Sequence, residues 1–153
     1  MEDNKKIIEK FYQSFADANV EGMISNYNDN IEFQDPVFGL LKGTEAKNMW
    51  RMLVSPKVKI TFYNIQANDK AGSANWVAEY VFTPTGRRVI NKIAARFEFM
   101  NGKIIKHTDY FDFWKWARQA LGPIGYLFGW SSMLKNKVHR QAISQLRKYA
   151  QKV

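Results

Sequence analysis

The sequence predicts an α+β fold: opening helices, then a curved antiparallel sheet forming a cone around them, then a C-terminal helical extension. Three observations carry this expectation. Apolar residues recur at helical spacing near the start, and four strand-like runs separated by turn residues fill the stretch from 58 to 113. The chain also carries 5 Trp, 7 Tyr and 11 Phe, or 15% aromatic residues, a load that suits a small fold lining a cavity as well as filling a core. A length of 153 residues fits a single domain, read as a cone over 1–113 and a basic amphipathic extension over 114–153.

Each element has its own signal. From Asn4 to Ala18, Ile7, Ile8, Phe11, Phe15 and Ala18 recur at spacings of three and four, which predicts an amphipathic helix. A shorter helix is expected over Val20 to Tyr27. Ile31, Phe33 and Asp35 then alternate with Glu32 and Gln34, a strand that ends at the Asp35-Pro36 step and places Asp35 on the apolar face. Thr44 is the expected N-cap of a third helix, which Pro56 bounds. Strands follow over Val58 to Gln66, Ser73 to Thr83, Arg88 to Met100 and Lys103 to Phe113, with an Asn101-Gly102 pair that favours a type I′ hairpin. Alternation gathers Trp76, Ala78, Tyr80 and Phe82, then Val89, Asn91, Ile93, Ala95, Phe97 and Phe99, then Ile105, His107, Asp109, Phe111 and Phe113 on one face.

Beyond the sheet, Asp112 is the expected cap of a helix running to Leu121. The chain breaks at Gly122-Pro123, passes through an apolar loop, IGYLFGW, and restarts as a helix at Ser131 or Ser132. In that last helix Leu134, Val138, Ala142, Leu146, Ala150 and Val153 form an apolar stripe.

The net charge of +9 is uneven. Residues 1–112 hold 15 Lys/Arg against all 14 Asp/Glu, whereas the residues from Phe113 onward hold 8 Lys/Arg and no acid. The tail therefore either presents a solvated helix face, packing across the cone mouth or a second subunit, or docks on an anionic membrane surface through Tyr126, Leu127, Phe128 and Trp130. Nucleic acid is not an expected partner, because no recognition motif accompanies the charge. With no cysteine, disulfides, thiolate catalysis, zinc ribbons and iron–sulfur clusters are excluded, and with only His107 and His139 no metal site is expected. The start, MEDNKK, lacks an apolar signal segment and no run reaches membrane-spanning length, so a soluble cytoplasmic protein is expected. G-x-G-x-x-G, P-loop and G-x-S-x-G motifs are all missing, and no cofactor is implied.

Asp35, His107 and Asp109 face one apolar cavity if the alternation holds. A carboxylate among Phe and Ile is poorly solvated, so its pKa rises toward neutrality, the condition for a general base. His107 and Asp109, two apart on one strand face, can orient an imidazole or share a proton with substrate. The alternatives are structural: Asp35 as a turn residue, His107 as a core histidine, and Asp109 paired with Arg51 or Trp50. Tyr80 and Asn91 add hydrogen-bonding groups, while Phe11, Tyr12, Phe33, Trp76, Ala95, Phe97 and Phe111 complete the expected apolar lining.

The order of IIEKFYQSF, IEFQDPVFG, KGTEA and the closing hairpin over residues 4–113 resembles the SnoaL-like and ketosteroid-isomerase-like branch of the nuclear transport factor 2-like superfamily. The resemblance implies a conical barrel with a deep apolar pocket, often homodimeric, used for isomerisation, cyclisation, epoxide hydrolysis or noncatalytic binding of a small apolar molecule. Asp35 matches the ketosteroid isomerases' general base. Phe11 stands where their oxyanion tyrosine would be, with Tyr12 one residue away, and Ala95 stands where their protonated aspartate would be. That oxyanion hole is therefore expected to be missing. His107 and Asp109 resemble the polar pair on the last strand of the cyclases and epoxide hydrolases.

Overall fold

The computed structural model describes residues 2–153, as α1 (Glu2–Ala16), α2 (Val20–Ile24), β1 (Tyr27–Asp35), β2 (Gly39–Lys42), α3 (Thr44–Leu53), β3 (Lys59–Ala67), β4 (Ala71–Phe82), β5 (Arg87–Met100), β6 (Lys103–Tyr110), α4 (Phe113–Leu121), α5 (Pro123–Phe128) and α6 (Ser132–Lys152). Among the described residues no helix is long and apolar enough to cross a membrane. One six-stranded sheet, in the order β2-β1-β6-β5-β4-β3, packs its buried face on α1 and α3. The α+β cone with a C-terminal helical extension is therefore the fold the sequence predicts.

β3 to β6 form an antiparallel meander. Its last turn is the expected Asn-Gly hairpin: Asn101 and Gly102 have φ of 53° and 74°, as a type I′ turn needs, and Met100 pairs with Lys103. β1 returns to lie parallel to β6, with Phe33 opposite His107 and Gln34 opposite Thr108. That pairing brings Asp35, one residue further along, beside Asp109.

Several expectations need correction. The second helix ends at Ile24 rather than Tyr27, because Tyr27 already pairs with Ile104 in the sheet. β2 was not expected; four residues give too short a pattern to show period two, and the strand exists by pairing with β1. Thr44 does not cap α3. Gly43 holds that position, with φ of 58° and its N–H donated to the Ile31 carbonyl of β1, so a bond to the sheet sets the helix entry. A bulge in β6 between Lys106 and Ile104 reverses the alternation, so that Ile104 is buried where Ile105 was expected. β6 stops at Tyr110, and Phe111 and Phe113 leave the sheet, because Asp112 starts α4 by accepting the Lys115 N–H.

The IGYLFGW segment is not a loop, since its first five residues belong to α5, for which Pro123 supplies a favourable first-turn residue. Ser131 caps α6 as one of the two expected starts. Of the α6 stripe, Val138 and Leu146 are buried and Leu134 and Ala142 half-buried, but Ala150 and Val153 are exposed because the helix runs past the body.

Candidate active site

The floor of the cone is built around His107, which is fully buried. Rings of Phe97, Phe33 and Phe11 surround it at centroid distances of 4.5, 5.0 and 5.3 Å, and the Trp50 ring lies nearly parallel to it at 6.1 Å. A buried imidazole in such a setting must have both nitrogens bonded. Trp50 Nε1 donates to the Tyr27 hydroxyl oxygen at 2.9 Å, and that hydroxyl lies 2.7 Å from His107 Nδ1. His107 Nδ1 is the one acceptor within reach of that hydroxyl, since the indole only donates, so the phenol proton goes to Nδ1. His107 then carries its proton on Nε2 and donates it to Asp109 Oδ1 at 2.9 Å. Trp76 Nε1 donates to the same oxygen at 3.3 Å. The result is a chain of fixed direction, Trp50 to Tyr27 to His107 to Asp109.

Asp109 thus finds neither of the partners expected from sequence. Arg51 bonds Glu21 at the surface, and Trp50 serves Tyr27. The indole that reaches Asp109 belongs to Trp76, because β4 lies two strands away across the concave face. Tyr12 also points inward; its hydroxyl is the one buried side-chain polar atom among the described residues with no hydrogen-bond partner. Burial, reinforced by the Asp109 charge, holds that phenol well above its usual pKa.

Asp35 sits higher, at the turn after β1. Its Oδ1 accepts from the backbone N–H groups of Val37 at 2.9 Å and Phe38 at 2.6 Å, so it is a turn residue. Both bonds fall on Oδ1, and the residue as a whole is half-buried. Burial first, and the Asp109 charge next to it, push the carboxyl up to about 7, against the two backbone donors that favour the anion.

Two apolar clusters meet beside it. One fills the cone, and the other, formed by Val89, Phe113, Trp116, Ala117, Ala120 and Val138, lies between β5, α4 and α6. Val37, Tyr80 and Phe111 pack against both and mark the seam. Tyr80 accepts a 2.9 Å bond from Trp116 Nε1, so its own proton is free to be donated elsewhere. Burial raises its pKa, with the Trp116 bond opposing and the Asp35 charge adding to the rise. Asn91 is buried on the same face. The helices over this seam are tied down: His139 Nδ1 donates to the Val37 carbonyl at 2.8 Å, and Gln119 Oε1 accepts from Ile90 N–H at 2.7 Å.

The residues read from sequence therefore separate by depth. His107 and Asp109 lie in the packed floor with Phe11, Tyr12, Phe33, Trp76, Ala95 and Phe97, whereas Asp35, Tyr80, Asn91 and Phe111 lie toward the seam. Clefts of about 540, 480 and 610 Å³ lie elsewhere, and none has Asp35, His107 or Asp109 in its lining. Sequence reasoning missed Tyr27, which a wide irregularity in β1 hides from period two, and Trp116 and His139, which reach the site only through helix packing.

No functionally curated protein matches the sequence significantly. Among solved structures, a putative polyketide cyclase from Xanthomonas campestris pv. campestris superposes with a TM-score of 0.65 at 17% identity, over 77% of this chain and 96% of that one. An epoxide hydrolase of M. tuberculosis, described as LEH-like, gives a TM-score of 0.65 at 18% identity over 82% and 94%. SalBIII, an epoxide hydrolase/cyclase-like enzyme of pyran ring formation in the polyether salinomycin, gives 0.62 at 20% identity over 71% and 89%. At these identities the likeness shows a shared nuclear transport factor 2-like fold. The sequence profile of the SnoaL-like domain matches residues 8–107, which is most of the cone and about two-thirds of the chain, and on that match the chain belongs to the SnoaL-like domain family.

Proposed function

We propose that this protein is a cofactor-free acid–base catalyst acting on a small apolar molecule at the seam above the cone floor. Asp35 is the general base and Tyr80 the hydrogen-bond donor. The observation that carries the reading is the half-buried Asp35 carboxyl, raised to about 7 at the edge of two apolar clusters, with both backbone donors on Oδ1. A base with that pKa accepts a proton at neutral pH and still has driving force to do so. Tyr80, whose oxygen already accepts from Trp116, is polarised toward donating its proton to a carbonyl, alkoxide or epoxide oxygen. Asp109 acts on Asp35 through its charge, and His107 and Tyr27 hold Asp109 in place. This chemistry suits isomerisation, aldol-type cyclisation or epoxide opening, and the fold neighbours, a putative polyketide cyclase, an LEH-like epoxide hydrolase and an epoxide hydrolase/cyclase-like enzyme, support that range. A homodimer, as the family resemblance implies, is part of the reading, and sedimentation equilibrium tests it.

A thermal-shift screen against polyketide-like aromatics, steroids, fatty acids and terpene epoxides identifies a ligand, and product analysis follows with that ligand. The expected result is turnover that rises with pH through about 7 and falls roughly 10²–10⁴-fold in Asp35→Asn while ligand binding persists. Unchanged turnover in Asp35→Asn removes the base assignment. A ligand that binds tightly and is returned unchanged makes the protein a noncatalytic binding module.

A further inference from the structure

We propose that the corner formed by α4, α5 and the start of α6 docks on an anionic lipid membrane surface. The strongest observation is how α5 packs. Its only buried residue is Gly125, whose Cβ, if it had one, would lie 1.9 Å from the Ala117 carbonyl oxygen of α4. Gly129, just beyond, is also tight, with the Gly125 carbonyl oxygen 2.4 Å and Trp114 Cδ1 of α4 2.8 Å from a hypothetical Cβ. The helix is therefore held by backbone contact along its glycine edge, and its side chains have no place in the body. Ile124, Leu127 and Phe128 stand 53–64% exposed, and Trp130 and Met133 reach 73% and 81%. Isolated exposed apolar residues are ordinary, but a contiguous group on one short segment marks an interaction surface.

The charge around the group says what covers it. Arg118 lies between the rings of Trp114 and Tyr126, at 4.6 and 5.6 Å from their centroids, and Lys115 stands beside Trp114 on α4. Lys137 and Arg140 follow Met133 by one and two turns on the same face of α6. No acidic residue occurs from Phe113 to the end of the sequence. A twofold contact with a second copy would set this cationic rim against itself. Lipid headgroups of negative charge fit it, while the aromatic and aliphatic tips enter the headgroup–acyl boundary. The basic amphipathic α6, expected from sequence to lie beside Tyr126, Leu127, Phe128 and Trp130 at such a surface, spends Val138 and Leu146 on the body and contributes its first turns and its charge.

The full chain is mixed with vesicles of phosphatidylcholine alone and with vesicles containing 30% phosphatidylserine. Co-sedimentation, Trp fluorescence and sedimentation velocity are recorded. The expected result is binding to the anionic vesicles with a blue-shifted emission, weakened by salt and at least tenfold weaker to the neutral ones. Leu127→Glu and Trp130→Glu, at exposed positions, should each reduce vesicle binding tenfold or more with circular dichroism and oligomeric mass unchanged. Tyr63→Glu, at an exposed position on β3, should leave binding intact. Absence of vesicle binding, equal binding to both vesicle types, or dissociation of an assembly by Leu127→Glu overturns the proposal, the last by assigning the corner to a second copy.

Discussion

The cone and the C-terminal cap use the same kinds of side chain in opposite ways. In β1, β5 and β6, Phe33, Phe97, His107 and Asp109 point inward, and the polar atoms among them are joined in one directed hydrogen-bond chain. In α5 the inward position belongs to Gly125, and Leu127, Phe128 and nearby Trp130 point out. The difference teaches that burial here follows the spacing between backbones. A sheet stands off from the helices by the thickness of a ring, whereas α5 lies against α4 with no room for a single methyl group.

That contrast predicts how the two regions fail. The largest effect is expected for His107→Ala, which strips Asp109 and Tyr27 of their partner in a dry site and should cost about 3–5 kcal/mol of global stability, read by denaturant unfolding. Survival of the cone with less than 1 kcal/mol lost would mean that water replaces the imidazole without cost. Gly125→Val should cost roughly 2–3 kcal/mol through overpacking against Ala117. Its mark is faster hydrogen exchange over 113–131 with β5 and β6 still protected; loss of protection throughout would erase the distinction between cone and cap.

Asp35 lies where the regions meet, and its stability effect has an unusual sign. The folded carboxyl keeps its proton to about pH 7, while an unfolded aspartate keeps it only to about pH 4, so the folded state binds more protons in that window. Stability should therefore fall as pH rises from 4 to 7. Asp35→Asn keeps an oxygen for the Val37 and Phe38 N–H groups and should gain roughly 2 kcal/mol at pH 8, a gain that shrinks as pH falls through that window and is gone below about pH 4 in thermal melts. A pH-independent difference would detach the carboxyl from its buried setting. The smallest effect belongs to Tyr12→Phe: removing an unpartnered buried hydroxyl should leave stability unchanged or raise it by about 1 kcal/mol, whereas a loss above 1 kcal/mol would reveal a partner for that oxygen.

The inward face of the sheet was legible because side chains alternate strictly. Trp76, Asn91, Ala95, Phe97, His107 and Asp109 are all placed on one face by counting, and all are buried. Asp35 was legible as both a turn residue and a poorly solvated acid. Counting failed at Ile105, since one extra residue in a strand reverses everything beyond it and leaves no trace in composition. It also failed at α5, where an apolar run of six residues gives too little length to separate helix from loop. Trp116, His139 and Tyr27 escaped because their roles depend on partners distant in the chain.

What the sequence by itself determined is local: the helix periods, the Asn101-Gly102 hairpin, the Asp112 cap and the cationic tail free of acids. These follow from backbone preference and side-chain spacing over a few residues. The tertiary structure alone decided the parallel pairing of β1 with β6, which sets Asp35 beside Asp109, and the seating of α5 on α4, which turns its apolar side chains outward. Both depend on which backbones come close, and that is settled by packing of the whole chain rather than by any segment's own pattern.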